Sequence, residues 1–306
     1  MTTDHARGVP GPGTYEESPA GWRTYGQEEL DRQYSPSSRV DDLGVHLARY
    51  ATDSALARSA PAARTALRCG PLPEQTFDLF PAARAGAPLL VFVHGGYWQE
   101  QSRNEAAFAA RDFVAAGISF AALGYGLAPR HSMRQVTAAA GDSLRWICTS
   151  LAQLPGAPRT VHLAGHSAGA HLVVSALLDP EGWRRAGTTA SDAVSSAVLL
   201  SGVYDLEPLR HTYVNDLLGM DEDEARDCSP QLRLPAALPP LIVARGENET
   251  DEFARQQERF VRSARLGGTR VTPLVVDGRH HFDLPFDLGD PATSLGNEVL
   301  RRVVAR

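Results

Sequence analysis

Residues 165–169 read Gly-His-Ser-Ala-Gly, a pattern of hydrolases whose nucleophile is a serine between two glycines. An apolar run of strand character, residues 160–164, precedes the pattern, and a helical segment, residues 170–178, follows it. Small residues are needed on both sides of such a serine, because the strand and the helix approach each other closely. The spacing therefore predicts that Ser167 is held in a sharp strand-to-helix turn as a nucleophile.

Residues 94–98 read His-Gly-Gly-Tyr-Trp and follow another short apolar run, residues 89–93. Glycines allow bare backbone N–H groups to come within about 3 Å of an oxygen that becomes negatively charged during acyl transfer. We therefore expect this loop to form an oxyanion hole. The predicted donors are the N–H groups of Gly96 and Tyr97, that of Ala168 after the serine, and Gly95 as a further candidate.

A serine hydroxyl becomes nucleophilic when a base takes its proton, and a carboxylate orients that base. In hydrolases with this turn, the acid follows the serine in the chain and the histidine comes last. The loop after the apolar run 240–244 contains four carboxylates, Glu247, Glu249, Asp251 and Glu252. The loop after the run 271–276 contains two histidines, His280 and His281. The positions of these residues in the chain decide neither which carboxylate is the acid nor which histidine is the base.

The elements that must position these residues follow a regular alternation. Six short apolar runs have the composition of strands buried on both faces: residues 88–94, 118–125, 160–166, 196–201, 240–244 and 271–276. Helical patterns lie between or after them, at residues 104–116, 133–154, 169–178, 252–266 and 293–304. This alternation predicts a doubly wound α/β domain with a mostly parallel sheet.

The flanking segments complete the predicted organisation. Residues 1–28 are polar and rich in Gly and Pro, which predicts a poorly ordered leader before a single domain at residues 29–306. Residues 40–67 suggest a helix broken near Pro61, and residues 76–80 suggest an edge strand. The stretch 206–238 is longer than an ordinary connection, and we expect it to form a small partial cap over the site.

The composition excludes several classes of function. The chain has 306 residues, 43% of them hydrophobic, and a formal net charge of -6, so it lacks the basic surface of a protein that binds nucleic acid or anionic membranes. All 30 basic residues are arginines, which excludes Schiff-base chemistry, a pyridoxal phosphate anchor and a P-loop. No run is apolar enough for a signal peptide or a membrane span, and we expect a cytoplasmic protein.

Neither the cysteines nor the clustered histidines predict a cofactor site. Three cysteines spread over the chain form neither a disulfide framework nor a metal knuckle: Cys69, Cys148 and Cys228. His162, His166 and His171 fall on a strand, a turn and a helix, so they do not converge on a zinc ion. No metal or organic cofactor is implied. The oligomeric state stays open, and a homodimer is allowed.

Extended to residues 94–99 and 165–171, the two glycine motifs resemble those of the kynurenine formamidase family, arylformamidases of the α/β-hydrolase fold. Four further segments agree with that family: residues 33–37 (QYSPS), 201–208 (SGVYDLEP), 252–256 (EFARQ) and 281–283 (HFD). The resemblance runs from about residue 30 to the C-terminus. It implies a cofactor-free hydrolase that converts N-formyl-L-kynurenine, or a related N-formyl arylamine, to the amine and formate.

The resemblance also assigns the acid and the base. The family places its acid three residues before the Glu-Phe pair, which is Glu249 here, and its base at the first residue of His-Phe-Asp, which is His281. The family acid is usually Asp, so the glutamate is a departure, and Asp251 and Glu247 remain rivals. A glutamate can orient an imidazole from the same loop with one more methylene of reach.

The expected substrate contacts come from aromatic side chains near the motifs: Tyr97, Trp98, His166 and Phe282. The bulky Tyr97 and Trp98 are expected to restrict the acyl side of the pocket. A carboxylesterase acting on small acyl esters would share every catalytic part, as would an arylformamidase of a secondary-metabolite pathway. A catalytically silent scaffold is a further alternative, against which the intact serine, histidine and glycine loop argue.

Overall fold

A computed structural model of the chain describes residues 21–234 and 236–304. Within this part, one sheet contains all eight strands, in the spatial order β1-β2-β4-β3-β5-β6-β7-β8. The strands are β1 (Arg64–Arg68), β2 (Thr76–Phe80), β3 (Leu89–Val93), β4 (Ser119–Leu123), β5 (Val161–His166), β6 (Ser196–Leu200), β7 (Leu241–Gly246) and β8 (Val271–Val276). Strand β2 runs antiparallel to both β1 and β4, and all pairs from β4 to β8 are parallel.

The α-helices of the described residues pack in two layers on this sheet. They are α1 (Gln27–Gln33), α2 (Leu43–Arg58), α3 (Ala110–Ala115), α4 (Met133–Thr149), α5 (Ala168–Leu177), α6 (Pro180–Arg185), α7 (Ala190–Ala193), α8 (Asn215–Leu218), α9 (Glu222–Asp227), α10 (Asp251–Leu266) and α11 (Ser294–Val304). One core contains side chains of α1, α4, α5 and α10, and the other contains side chains of α2, α3 and α11. The predicted doubly wound α/β architecture is confirmed.

Strand β3 shows why both cores form. Leu89, Val91 and Val93 belong to the first core, whereas Leu90 and Phe92 belong to the second. Successive side chains of a strand point to opposite faces, so a continuous apolar run is buried on both sides. The same run ends at the C-terminal edge of the sheet, where parallel strands deliver their loops to one place.

Strand β1 and helix α3 differ from the prediction. Residues 76–80 form β2 as expected, but β1 lies outside it and is the edge strand. Strand β1 has no apolar alternation, because most of its side chains are exposed and its ladder is interrupted near Ala66, where φ is +56°. The helix expected over residues 104–116 is shorter, since α3 begins only at Ala110.

The last residues of the predicted N-terminal leader have regular structure. Residues 21–28 form a 3-10 helix, Gly21–Thr24, and the beginning of α1. Trp22 packs against the first core and stacks on His211 with ring centroids 5.2 Å apart. This apolar contact explains the order of a segment whose composition favoured a loop. The rest of the predicted leader, residues 1–20, lies outside the described residues.

The long connection at residues 206–238 contains four short helical segments between β6 and β7. They are the 3-10 helices Pro208–His211 and Pro230–Arg233 together with α8 and α9. The side chain of Gln99 donates to the backbone carbonyl of Val214 at 2.7 Å, which joins this small partial cap to the loop after β3. None of the helices in the described ranges is long and apolar enough to cross a membrane.

Candidate active site

Ser167 occupies the turn between β5 and α5 in a backbone conformation that is rare for residues other than glycine. Its φ is +54° and its ψ is -117°. The backbone N–H of Ser167 donates to the carbonyl of Leu200 at 2.8 Å, and its carbonyl accepts from the N–H of His171 at 3.2 Å. These bonds fix the turn to the end of β6 and to the first turn of α5.

The glycines of the motif are required for close backbone approach. A Cβ added at Gly165 would overlap the carbonyl of Gly169, and a Cβ added at Gly169 would overlap the carbonyl of Val93. A Cβ at Gly95 would lie 3.2 Å from the Cβ of Ser167. The loop after β3 is therefore packed directly against the serine, as the two motifs predict.

The loop after β3 has three consecutive residues in the left-handed region. The φ values of Gly96, Tyr97 and Trp98 are +93°, +47° and +59°. The carbonyl of Gly96 accepts from the N–H groups of the two residues that close the turn, each at 2.9 Å. In residues 21–234 and 236–304, no protein acceptor takes the N–H of Gly96, Tyr97 or Ala168. All three donors remain available to an oxyanion.

His94 and Tyr125 support this loop from behind. His94 Nδ1 lies 2.9 Å from the Gly95 carbonyl, and its ring stacks on Tyr125 at 4.2 Å. The Tyr125 hydroxyl lies within 3.1 Å of the carbonyls of both His94 and Gly95. Burial lowers the pKa of His94 to about 4, so its imidazole is neutral at pH 7. Tyr125 was not predicted as a site residue, and it lies at the end of another predicted strand.

Glu249 and His281 meet after β7 and β8. His281 Nδ1 lies 3.1 Å from Glu249 Oε2, and both side chains are almost completely buried. A carboxylate only accepts, so Nδ1 carries the hydrogen, and in the neutral tautomer with this hydrogen Nε2 is the acceptor. The His281 ring lies 4.6 Å from that of His166, the residue directly before Ser167. An imidazole oriented by a carboxylate thus lies beside the serine turn.

The second carboxylate oxygen of Glu249 is held by two donors. Ser201 Oγ donates to Oε1 at 2.6 Å, and the N–H of Gly246 donates to the same atom at 2.8 Å. Ser201 directly follows β6 and has a φ of +49°. Its contact with Glu249 was not predicted from the sequence, although Ser201 begins one of the segments on which the family resemblance rests.

The rival carboxylates have other contacts. Asp251 is exposed at the start of α10, and its Oδ2 lies 3.4 Å from the side-chain amide of Gln33. Glu247 is also exposed, and it accepts the N–H of Gly278 at 3.0 Å. Glu252 is buried but accepts from the Tyr34 hydroxyl at 3.2 Å. Of the four candidates, only Glu249 contacts a histidine of the β8 loop.

His280 makes its hydrogen bond and its ring contact with residues other than Glu249. Its Nδ1 accepts the N–H of Phe282 at 3.1 Å, and its ring makes an edge contact with His46 at 4.7 Å. The geometry therefore favours His281 as the base. His281 is enclosed by the rings of Phe253 and Phe282, whose centroids lie 4.8 Å and 5.0 Å from it.

The predicted substrate contacts differ in their exposure. Tyr97 and Phe282 are half-buried, and His166 is buried. Burial, together with the neighbouring His281, lowers the pKa of His166 well below its usual value, so its ring is neutral. Trp98 is completely buried, in edge contact with His171 at 4.9 Å. Its side chain therefore belongs to the core, and it reaches the site only through the backbone of its loop.

The three clustered histidines have separate partners. His162 Nδ1 lies 2.8 Å from Ser196 Oγ, and His171 Nε2 lies 2.7 Å from the carbonyl of Cys228, while His166 packs on His281. Across the described ranges, no three His, Cys, Asp or Glu side chains gather as a potential metal site. Burial lowers the pKa of both His162 and His171 to about 4.

Comparison with known proteins agrees with this geometry. Residues 90–283 match the family described as the alpha/beta hydrolase fold. A solved structure from Silicibacter sp. TM1040, provisionally assigned as a thioesterase, superposes with a TM-score of 0.78 at 27% identity over 90% of this chain and 99% of that chain. The chain is therefore an α/β-hydrolase.

Two curated relatives define the family within this class. The kynurenine formamidase of Danio rerio is 30% identical over 295 residues, which cover 92% of this chain and 98% of the relative. That of Salmo salar is 30% identical over 283 residues, with coverages of 88% and 94%. The chain belongs to the kynurenine formamidase family and is a hydrolase, as the resemblance predicted.

Proposed function

We propose that the chain is a serine hydrolase that cleaves the formamide of N-formyl-L-kynurenine, or of a related N-formyl arylamine, to the amine and formate. The observation that carries this proposal is the 3.1 Å contact of His281 Nδ1 with Glu249 Oε2 beside the turn that holds Ser167. The two fish relatives named kynurenine formamidase support the choice of substrate.

In the first half-reaction, the Ser167 hydroxyl attacks the formyl carbon while its proton passes to His281 Nε2. Glu249 stabilises the imidazolium that forms, and it stays ionised throughout. When the tetrahedral intermediate collapses, His281 gives the proton to the aniline nitrogen as the C–N bond breaks. A formyl ester remains on Ser167.

In the second half-reaction, His281 takes a proton from water, and the resulting nucleophile attacks the formyl ester. Collapse of this intermediate returns the proton to the Ser167 oxygen and releases formate. The free N–H groups of Gly96, Tyr97 and Ala168, with Gly95 as a further candidate, would stabilise the oxyanion in both steps. Removing one such donor from a hydrolase typically lowers the rate about 10²- to 10³-fold.

The pocket is proposed to be bordered by the half-buried rings of Tyr97 and Phe282, with the neutral His166 beneath them. A formyl group is the smallest acyl group, so little space is needed beside the oxyanion donors. Trp98 would contribute through its backbone alone, because its side chain is fully buried. A cytoplasmic location and a homodimer stay predictions from the sequence.

The test compares two substrates in the wild-type protein and in Ser167→Ala. Kynurenine release from N-formyl-L-kynurenine is measured beside hydrolysis of p-nitrophenyl acetate. We expect efficient deformylation that is lost in Ser167→Ala. Ester turnover without deformylation would refute the substrate and support a carboxylesterase for small acyl esters. Deformylation that is much faster with a ring-modified N-formylkynurenine would support a secondary-metabolite arylformamidase.

A fluorophosphonate probe separates the hydrolases from a silent scaffold. The probe reacts with a serine only where a base activates it, so the wild-type protein should label and Ser167→Ala should not. A wild-type protein that does not label and turns over neither substrate would refute the proposed mechanism.

A further inference from the structure

The dipeptide Gln33–Tyr34 lies outside the predicted catalytic motifs, and it contacts both the loop after β3 and the loop after β7. The backbone carbonyl of Tyr34 accepts from the Tyr97 hydroxyl at 2.6 Å. The adjacent carbonyl, that of Gln33, accepts from Thr250 Oγ1 at 2.6 Å. Tyr97 belongs to residues 94–98 after β3, which we call the oxyanion loop. Thr250 directly follows the proposed acid, Glu249. The end of α1 therefore bridges two loops that are about 150 residues apart in the chain.

These two hydrogen bonds to the Gln33 and Tyr34 carbonyls form the bridge, and most of its residues are shielded from water, although Tyr97 itself is half-buried. Gln33, Tyr34 and Thr250 are each at most 1% exposed. Hydrogen bonds in such surroundings compete with little solvent, so they hold their geometry more strictly than surface bonds. Further contacts fix the dipeptide to the start of α10: the Gln33 side-chain oxygen accepts the N–H of Glu252 at 3.1 Å, and the Tyr34 hydroxyl donates to its carboxylate at 3.2 Å.

The oxyanion loop needs such an anchor because of its backbone. Tyr97 and Trp98 have positive φ values of +47° and +59°. Such conformations are unfavourable for residues with a Cβ, and they persist only where surrounding contacts enforce them. Tyr97 is one of these strained residues, and its hydroxyl holds the tip of its side chain in place. Its bond to the Tyr34 carbonyl opposes relaxation of the loop.

We propose that the Gln33–Tyr34 carbonyl pair sets the position of the oxyanion donors relative to the catalytic acid. Tyr97, through its hydroxyl, and Thr250 are then positioning residues for the reaction. This inference rests on the proposed function, because it assumes that the loop stabilises an oxyanion and that Glu249 orients the base. It assigns the Tyr97 hydroxyl to the protein backbone and not to the substrate.

The test uses two substitutions that each remove one hydroxyl, Tyr97→Phe and Thr250→Val, alone and together. A typical hydrogen bond contributes about 0.5–1.5 kcal/mol, which converts to a rate effect of about two- to tenfold. We expect each variant to lower kcat within that range for both N-formyl-L-kynurenine and p-nitrophenyl acetate, with KM changed less than twofold. Rates are expressed per serine titrated by a fluorophosphonate, so partly unfolded protein does not count.

The double variant tests the bridge itself. Because both hydroxyls act through one dipeptide, the loss in the double variant should be smaller than the product of the single losses. A double loss equal to that product would mean two independent anchors and would overturn the proposal. Thr250→Ser keeps the hydroxyl and should restore kcat. Failure of this rescue while Thr250→Val is impaired would assign the effect to packing.

Thr269→Val is the matched control. Thr269 is buried, its hydroxyl donates to the Ala236 carbonyl at 3.2 Å, and it lies before β8, at the edge of the sheet opposite the site. We expect the Thr269→Val protein to be less stable than the wild-type protein but to have the same kcat per titrated serine. A rise in KM with unchanged kcat in Tyr97→Phe would instead show that this hydroxyl binds substrate, and would overturn the proposal.

Failure of the bridge is distinguishable from failure of the proposed function. If the wild-type protein hydrolyses only the ester, the formamide substrate is refuted, whereas the ester kcat still tests the bridge. If Ser167→Ala keeps both activities, the serine mechanism is refuted and the bridge with it. Unchanged kcat in both single variants refutes the bridge alone.

Discussion

Ser201 and Glu249 form a hydrogen bond of 2.6 Å at the end of the sheet, on the carboxylate oxygen that does not face His281. The two oxygens therefore have separate partners: Oε1 accepts from Ser201 and Gly246, and Oε2 accepts from the histidine. A glutamate has one more rotatable bond than an aspartate, so its head group needs more contacts to hold one orientation. Ser201 supplies one of them from a neighbouring strand.

Removing the Ser201 hydroxyl should lower activity without removing the acid. We expect Ser201→Ala to reduce kcat for N-formyl-L-kynurenine about three- to tenfold, because a hydrogen bond to a charged group contributes about 1.5–3 kcal/mol and part of it is recovered by rearrangement. Ser196→Ala is the control, since Ser196 is buried at the other end of the same strand and contacts His162. An equal loss of kcat in both variants would contradict a specific role for Ser201.

Substitution of the carboxylates one at a time should identify the acid. Glu249→Gln leaves the shape of the side chain but allows the wrong tautomer of His281, so we expect kcat to fall on the order of 10³-fold or more. Asp251→Asn and Glu247→Gln should keep kcat within about twofold, because both residues are exposed and contact neither His281 nor Ser201. The measurement is steady-state deformylation. A large loss in Asp251→Asn would assign the acid to that residue instead.

The close packing of the serine turn predicts a strong stability effect. A methyl group at Gly169 would overlap the backbone of β3, so Gly169→Ala should lower the free energy of unfolding by about 3 kcal/mol or more. Gly26→Ala is the matched change at a site where an added Cβ meets nothing within 4 Å, and it should change stability by about 1 kcal/mol or less. Urea unfolding of both proteins provides the comparison. Similar midpoints would show that the turn can shift to accept a side chain.

Buried neutral histidines predict acid sensitivity. Burial lowers the pKa of His94, His162 and His171 to about 4 each, whereas an unfolded chain has a value of about 6.5. The unfolded state then binds more protons between these values, so stability is complete above pH 6.5 and falls as the pH drops toward 4. At pH 5 the loss is about 2 kcal/mol for each histidine.

Urea unfolding between pH 7.5 and pH 5 measures this loss. Each of these three histidines should add about one proton to the slope of unfolding free energy against pH near pH 5, and His166, whose pKa also lies well below its usual value, should add to the same slope. His162→Gln should remove one proton from that slope, because the glutamine does not titrate. An unfolding free energy that is the same at both pH values would contradict the neutral state of these side chains.

Much of the architecture was predictable because it depends on local patterns. Runs such as that of β3 are apolar on both faces, and the glycines around Ser167 report a tight turn through their spacing. Strand β1 was not predictable, because its exposed side chains carry no alternation and only pairing with β2 makes it a strand. The spacing of residues alone left the acid and the base open, and the family resemblance chose Glu249 and His281.

Contacts between distant segments account for the remaining differences. Ser201 donates to the carboxylate of Glu249, 48 positions further along the chain. The Tyr34 carbonyl accepts from the hydroxyl of Tyr97, 63 positions further along. No periodicity in one segment reports such a partner. Trp98 is a residue that the sequence assigned to the site and the structure does not. Its place in the motif predicted a pocket contact, but its side chain packs in the core against His171.

The order of the strands has a consequence for a chain that is still being synthesised. Ser167 and the glycine loop can be in place once β6 has joined the sheet, but the His281 imidazole arrives only with the loop after β8, the last strand of the described residues. A nascent chain on the ribosome would therefore contain the proposed nucleophile, Ser167, well before the proposed base, His281. If His281 is the base, Ser167 becomes reactive only once the loop after β8 has folded, so labelling of the serine by a fluorophosphonate should report that β8 has joined the sheet.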